Sequence, residues 1–279
     1  MVNHRLVKST TILLLLVQTQ YLIIKLVKLM FYSPLEQFAI IQFIPCVLFN
    51  IIDISITNCF LFCLIAVTLA INVFMLISWN ILYVPSVWQL LVESLYGFIY
   101  YNIVSENIKK NGNLYFPIIL ATFIFVFACN IIGMVPYSFT VTSHIIVTLS
   151  IALILFTGIN IIGFKTHGLH MFSLFLPPGA PLVMAPLLVF IEVVSYSFRV
   201  VSLSLRLFAN MMSGHCLLKI LAGFAWTMLT SKSILTILHV IPLMVIFAII
   251  GLELGIAFLQ AYVFALLLCV YLNDAISLH

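Results

Sequence analysis

Ionisable, amide and hydroxyl side chains recur at helical spacing inside two of the most apolar stretches of this chain. In residues 181–226 the intervals are three or four, which places the side chains on one helix face: Glu192, Ser195, Arg199, Ser202, Arg206, Asn210 and Ser213. In residues 234–276 the intervals are multiples of seven, and the side chains again share one side: His239, Glu253, Gln260 and Asp274. Inside a bilayer such residues typically mark a path for ions or protons.

Arg206 is flanked by apolar sequence on both sides, so it needs a partner or water. Glu192 lies roughly 21 Å away along the helix, which is too far for an ion pair. The partner must therefore come from Glu253, from another protein or from a water-filled cavity. Arg199 has a further option, because its long side chain could snorkel to an interface. In a straight helix the side chain of His215 points away from the polar face that carries Arg206. This indicates that His215 serves a different compartment.

The composition identifies the environment of these residues. Of 279 residues, 65% are hydrophobic and 6% are charged, against about 25% charged in soluble domains. Apolar runs of 20 or more residues indicate helices rather than barrel strands. We therefore predict an all-α polytopic membrane protein. The net charge of +4 shows no basic stripe, so nucleic acid is excluded as a partner.

The apolar pattern divides the chain into an N-terminal segment and one membrane domain, residues 36–279. Residues 1–35 are either a cleaved targeting segment or an extra helix, and residues 36–53 indicate an interfacial lead-in. The domain is predicted to hold about three ordinary transmembrane helices, one amphipathic surface helix and a hairpin of two overlong helices. Their ranges are 57–79 for a transmembrane helix, 85–110 for the surface helix, 114–164 for a transmembrane hairpin turning at Tyr137-Ser138, and 181–276 for the overlong hairpin.

The two overlong helices set the geometry. A straight helix over residues 181–226 would be roughly 69 Å long, about twice the thickness of a bilayer core. We expect both overlong helices to be strongly tilted or broken, an arrangement suited to packing beside another membrane protein. Gly251 and Gly255 offer a small-residue step for close helix contact. Lys109, Lys110 and Lys165 place the loops that carry them on the matrix or cytoplasmic face.

Residues 192–215, EVVSYSFRVVSLSLRLFANMMSGH, resemble the signature of subunit a of the F-type ATP synthases in its mitochondrial form. The resemblance extends through SPLEQF at 33–38, NIIGMVPYSFTVTSHI at 130–145, SLFLPPGAPLVMAPLL at 173–188 and YLNDAISLH at the C-terminus. It covers most of residues 33–279. The family commonly has Gly where this chain has Ser204, which is a conservative departure.

The resemblance implies a proton-conducting stator subunit that works against a rotating ring of c subunits. By this match Arg206 is the invariant arginine that separates two half-channels. A guanidinium does not release its proton in proteins, so it cannot pass one on. Asn210 and Gln260 match positions beside the arginine. His215 and Glu253 match the lumen-side half-channel.

The resemblance further implies that Glu192 and Asp274 line the matrix-side exit. Arg199, Ser202 and His239 are secondary candidates, and we interpret His144 and His239 as packing or rim residues. The expected partners are the c ring, other membrane-sector and peripheral-stalk subunits, and the lipid bilayer. The expected location is the mitochondrial inner membrane. We expect no cofactor, no metal and no catalytic site in this subunit.

Two other classes compete with this reading. A stand-alone ion channel or secondary transporter would also carry intramembrane Arg and Glu, but it predicts an internal repeat. A haem or quinone subunit would need facing pairs of histidines on helices. The chain shows no repeat, and His144, His215 and His239 are too few for two such pairs.

Overall fold

The computed structural model describes residues 33–48, 52–53, 55–79, 85–108, 112–135, 138–175, 184–230 and 238–277. Nearly all of the predicted N-terminal segment, residues 1–35, lies outside these ranges. The described part is mostly helical, with six principal helices. They are α1 (Asn58–Trp79), α2 (Val87–Phe98), α3 (Gly112–Met134), α4 (Ile145–His167), α5 (Ala185–Thr230) and α6 (Val240–Ile276).

Five helices of the described ranges are long and apolar enough to cross a membrane, namely α1, α3, α4, α5 and α6. Most of their side chains are apolar, as a lipid environment requires. This confirms the coarse prediction of a helical, multi-pass membrane protein. Helix α5 is unbroken over its 46 residues, which corresponds to about 69 Å at the standard rise. Residues 231–237, which include most of the turn expected after α5, lie outside the described ranges.

Helix α2 occupies the range of the predicted surface helix and changes type along its length. It continues as a π-helix over Ile99–Val104 and ends in one α-helical turn at Ser105–Asn107. The π segment buries Ile99 and Ile103 in the core, while Trp88 near the start of α2 is 70% exposed. Large apolar side chains thus point outward as well as inward, which suits a helix with lipid as its solvent.

Two short antiparallel strand pairs precede α1, where we had predicted an interfacial lead-in and no strands. The outer pair is β1 (Gln42–Ile44) with β4 (Ile56–Thr57), and the inner pair is β2 (Val47–Leu48) with β3 (Ile52–Asp53). β-Branched Ile, Val and Thr favour the extended backbone here. The Asn58 side chain accepts the backbone N–H of Ile41 at 3.2 Å and ties this region to α1.

The connection between α3 and α4 is longer than predicted. Helix α4 begins at Ile145 and not directly after the predicted turn at Tyr137-Ser138, and Val141–Ser143 form a single 3₁₀ turn. Hydroxyl side chains explain why the helix starts later in the sequence, since they compete with the backbone for hydrogen bonds and favour turns over helix. Ser143 donates its hydroxyl to the Thr140 carbonyl at 2.6 Å. Tyr137, half of the predicted turn, lies outside the described ranges.

The chain forms two compact units. One contains residues 40–214 and 250–279, and its core is built by the π segment, α3, α5 and α6 around Phe123, Leu207 and Phe264. The other contains residues 1–39 and 215–249, and so includes the end of α5 and the start of α6. Most of the candidate residues belong to the first unit.

Candidate functional site

We call the seven polar residues of α5 listed above, from Glu192 to Ser213, the polar stripe. Most of them lie on an exposed face of the helix. Its exposed members are Ser195, Ser202, Arg206, Asn210 and Ser213. The buried face of the same helix holds Val200, Leu203, Ser204, Leu207 and Met211. The helix therefore packs its apolar side against the rest of its unit, and most of its polar side is left open to a partner.

Arg206 has no ion pair with any residue in the described part of the chain. Its side chain is exposed on the surface of this chain. In a membrane the charge would be uncompensated there unless water or another protein faces it. The structure does not pair it with Glu253, which removes one of the three partners that the sequence allowed.

Arg199 lies seven residues before Arg206 and has the opposite surroundings. Its guanidinium donates to the Asp274 carboxylate at 3.2 Å and lies 3.8 Å from the Glu192 carboxylate. The structure thus brings together both residues assigned to the matrix-side exit and places a positive charge between them. Snorkelling does not describe Arg199, because its charge is neutralised within the chain.

Two tyrosines complete the surroundings of Arg199, and the sequence did not single them out. The guanidinium carbon lies 5.6 Å from the Tyr196 ring centroid and 5.5 Å from that of Tyr271, distances typical of cation–π contacts. The Tyr196 hydroxyl donates to the Asn160 side chain of α4. A signal was present, since each tyrosine precedes a charged member of the group by three residues and so shares its helix face.

Asn210 and Gln260 are joined directly. The Asn210 amide donates to the Gln260 side-chain oxygen at 3.0 Å, and Gln260 is almost completely buried. This bond connects the exposed polar face of α5 to α6. The resemblance implies that both residues lie near the arginine, and the structure adds that they are hydrogen-bonded to each other.

Glu253 is a buried carboxylate on α6, only 7% exposed. Neither of its oxygens has a hydrogen-bond partner among the described residues. It packs against Gly214 of α5, where a Cβ atom would lie only 3.0 Å from the Glu253 carboxyl carbon. Gly214 therefore makes room for the carboxylate.

Gly251 and Gly255 make no close helix contact of the kind we expected. Within the described part of the chain, a Cβ at either position would meet nothing within 4 Å. Both glycines are exposed. The small-residue step is therefore open to a partner rather than used inside the chain.

His215 and His239 belong to the other unit. The Nε2 atom of His215 is buried and has no hydrogen-bond partner among the described residues. His239 lies immediately before α6, and its carbonyl accepts the Leu243 N–H at 3.3 Å. Over the described ranges, no three His, Cys, Asp or Glu side chains come together in a group that could hold a metal ion.

Comparison with known proteins decides the family. The chain matches the family described as ATP synthase A chain over residues 60–273. The chain belongs to the ATP synthase A chain family. Its relatives include the ATP synthase subunit a of Marchantia polymorpha, 53% identical over 251 residues that cover 88% of this chain and 99% of that protein. Those of Chondrus crispus and Brassica napus are 51% and 50% identical, each over 88% of this chain and 97% of the relative.

Membership of the ATP synthase A chain family confirms the resemblance carried by residues 192–215. The stand-alone transporter and the haem or quinone subunit are thereby excluded. Ser204, where the family commonly has Gly, is fully buried and donates its hydroxyl to the Val201 carbonyl at 3.0 Å. A small residue that satisfies its own hydroxyl within the helix preserves the close packing there.

Proposed function

We propose that this chain is the proton-translocating stator subunit of the membrane sector of an F-type ATP synthase in the mitochondrial inner membrane. It provides two offset half-channels that protonate and deprotonate the carboxylates of a rotating c ring. Proton flow thereby drives rotation and ATP synthesis. The nearly full-length similarity to proteins named ATP synthase subunit a supports this role.

The observation that carries the mechanism is that Arg206 lies on the open face of α5, while the opposite face of this helix is packed. Arg206 is exposed and has no ion pair among the described residues. The opposite face of α5 packs into the core. A fixed positive charge there attracts an ionised ring carboxylate. Because a guanidinium does not release its proton, it stops direct leakage between the half-channels.

Protons reach the ring through His215 and Glu253 and leave through Glu192 and Asp274. Support for the entry pair is that the buried polar atoms of both side chains lack partners within the described ranges, as expected of groups that bind transient water. At the exit, Arg199 contacts both carboxylates and holds them on either side of its guanidinium. Asn210 and Gln260 position the polar face beside Arg206.

The partner of the exposed polar face is the c ring, and both long helices lie strongly tilted in the membrane beside it. Tilt accommodates a helix of about 69 Å in a hydrocarbon core of about 30 Å. The exposed step at Gly251 and Gly255 allows a neighbouring helix to approach closely. Other membrane-sector and peripheral-stalk subunits hold the chain against the torque of the ring.

The test is coupled proton transport in inner-membrane vesicles that carry Arg206→Ala or Arg206→Lys. We expect both variants to co-purify with the c ring yet to lose ATP-driven proton pumping and ATP synthesis. Arg206→Lys is the sharper variant, since it keeps a cation that is able to lose its proton. Leu187→Ala, at another exposed position of α5, is the matched control and should behave like the parent. Normal coupling in either assembled Arg206 variant would refute the mechanism.

A further inference from the structure

A cavity lies beside the π segment, within the unit that contains residues 40–214. We call it the tyrosine pocket. Its volume is about 440 Å³, inside the range of about 300–1,000 Å³ that is typical of small-molecule sites. Its lining is aromatic and polar, and includes Glu93, Tyr96, Gly97, Tyr100, Tyr101 and Phe116. None of these residues belongs to the polar stripe or to the surroundings of Arg199.

The π segment explains how three tyrosines come to line one pocket. In an α-helix Tyr101 would point well away from Tyr96, because five residues rotate the side chain by about 140° beyond a full turn. Here the Ser105 N–H bonds to the Tyr100 carbonyl, five residues earlier. This wider turn rotates less per residue and brings Tyr101 back towards the face of Tyr96. π-Helical turns are rare and occur frequently at functional sites.

Aromatic rings form the floor and walls of the tyrosine pocket. The Phe116 ring of α3 lies 4.7 Å from the Tyr96 ring and 5.5 Å from the Tyr100 ring, between centroids, at angles of 68° and 80°. The Tyr101 ring stands at 83° to that of Tyr100. The Tyr100 hydroxyl donates to the Asn113 side chain at 2.8 Å and so orients its ring. Aromatic cages bind quaternary ammonium groups, because the faces of the rings are electronegative.

The charged side chains near the tyrosine pocket are acidic. Glu93 is an exposed member of its lining and has no ion pair among the described residues. The amide of Gln89, which is only 7% exposed, donates to a Glu93 oxygen at 2.8 Å, so a buried side chain orients the carboxylate. Glu106 is the other charged residue between residues 85 and 108. A carboxylate and electronegative ring faces both attract a cation and repel an anion.

A second cavity adjoins the tyrosine pocket and shares Tyr100 and Asn113 with it. Its volume is about 790 Å³, and its lining adds the aliphatic side chains of Val104, Ile108 and Leu114. A site that is cation-binding in one half and aliphatic in the other suits an amphiphile better than a free cation. Tyrosine is also enriched where helices meet the membrane–water interface, and α2 occupies the range of the predicted surface helix.

We propose that the tyrosine pocket binds the choline headgroup of phosphatidylcholine at the membrane surface, and that the adjoining cavity holds the first part of an acyl chain. The tyrosine rings and Glu93 surround the quaternary ammonium. Choline suits this cage because it has no N–H groups that would be left without hydrogen-bond partners among the rings. Binding is non-covalent. The proposal does not depend on the proton path, so its failure would leave the proposed function unchanged.

The first experiment measures lipid binding in the assembled ATP synthase, reconstituted into vesicles that contain a photoactivatable phosphatidylcholine. A phosphatidylglycerol with the same photoactivatable group lacks the ammonium and is the matched control. At equal mole fraction we expect phosphatidylcholine to label peptides within residues 87–116 at least about 5-fold more strongly. Equal labelling overturns the proposal, since it indicates an unselective lipid surface or a pocket filled by another subunit. Full displacement by millimolar free choline would also overturn it, because the occupant would then be a soluble cation.

The second experiment identifies the side chains that bind the headgroup. Tyr101→Leu removes a ring of the pocket, and Glu93→Gln removes the charge but keeps an acceptor for Gln89. Each should lower phosphatidylcholine labelling about 3- to 10-fold. Trp88→Leu and Glu106→Gln are matched controls, because both residues are exposed and lie outside the lining of the pocket. Parental labelling in both pocket variants, or an equal loss in the controls, overturns the proposal.

Gly97→Leu fills the tyrosine pocket without removing any group that would bind the lipid. Within 4 Å, a Cβ at Gly97 would meet only the Tyr101 ring, at an ordinary contact distance of 3.8 Å. Leucine also favours a helix more than glycine does. We therefore expect labelling to be lost while the midpoint of thermal inactivation stays equal or rises. Parental labelling in Gly97→Leu would place the lipid elsewhere and overturn the proposal.

Discussion

Arg199 and Arg206 have the same side chain on the same helix and should respond oppositely to removal. Arg199→Ala breaks a hydrogen-bonded pair with Asp274 at 3.2 Å, a weaker pair with Glu192 at 3.8 Å, and ring contacts near 5.5 Å. These side chains are 27–39% exposed, so each pair contributes only about 0.2–1 kcal/mol. Each ring contact contributes about 0.5–1 kcal/mol.

The expected loss for Arg199→Ala is therefore about 2 kcal/mol, or a factor of about 30 in the folding equilibrium. Arg206→Ala removes an exposed side chain that has no ion pair in the described ranges, and should change stability by less than about 0.5 kcal/mol. The assay is the midpoint of thermal inactivation of the solubilised complex, measured beside proton pumping. Arg199→Ala should lower the midpoint and Arg206→Ala should not.

The contributions of the charge and of the planar shape of Arg199 to stability can be measured separately. Arg199→Lys keeps the charge but loses the planar group that faces two tyrosines and two carboxylates, so we expect an intermediate midpoint. A double-mutant cycle with Asp274→Ala should give a coupling energy of about 0.5–1 kcal/mol. The reasoning is refuted if Arg199→Ala is as stable as the parent, or if Arg206→Ala destabilises the complex equally.

Two further substitutions examine close packing on α5. Gly214→Ala places a methyl group against the Glu253 carboxylate, and we expect a several-fold loss of proton-driven ATP synthesis with normal assembly. A Cβ at Gly223 would meet no atom of the described residues within 4 Å, so Gly223→Ala should leave ATP synthesis unchanged. Ser204→Leu overfills a fully buried position and should cost about 1–3 kcal/mol, measured as a lower yield of intact complex, whereas Ser213→Leu at an exposed position should leave that yield unchanged.

Periodicity placed the polar residues of α5 on one face because a helix turns by a fixed angle per residue. It could not say which of them find partners inside the chain. The Asp274 partner of Arg199 comes from α6, and only the packing of the two helices decides that Arg199 reaches it while Arg206 does not. Family resemblance suggested the proposed roles of the residues, and the tertiary structure showed how the surroundings of the two arginines differ.

Hydropathy likewise indicated the membrane helices, since an apolar run of sufficient length has few alternatives in lipid. It could not locate the start of α4, because Thr140, Thr142 and Ser143 are apolar enough to extend a hydrophobic run yet bond locally as a turn. The same limitation hid the buried hydroxyls of Thr140 and Thr142, which lack hydrogen-bond partners among the described residues. Hydroxyls that look neutral in a composition profile become informative only when the fold buries them without a partner.

The contacts along α6 are consistent with the proposal that the two ends of this helix serve different half-channels. Near its C-terminal end, Asp274 and the Ile276 carbonyl are tied to Arg199 of α5 and His167 of α4. Nearer its middle, the Ala257 carbonyl accepts a hydrogen bond from Asn130 of α3. Glu253 lies one helical turn away, and its carboxylate has no hydrogen-bond partner among the described residues. Because Glu253 and Asp274 lie on the same continuous helix, about 30 Å of helix at the standard rise separates the two carboxylates. A proton cannot hop such a distance through apolar side chains, so transfer between the two carboxylates requires a mobile carrier on another protein.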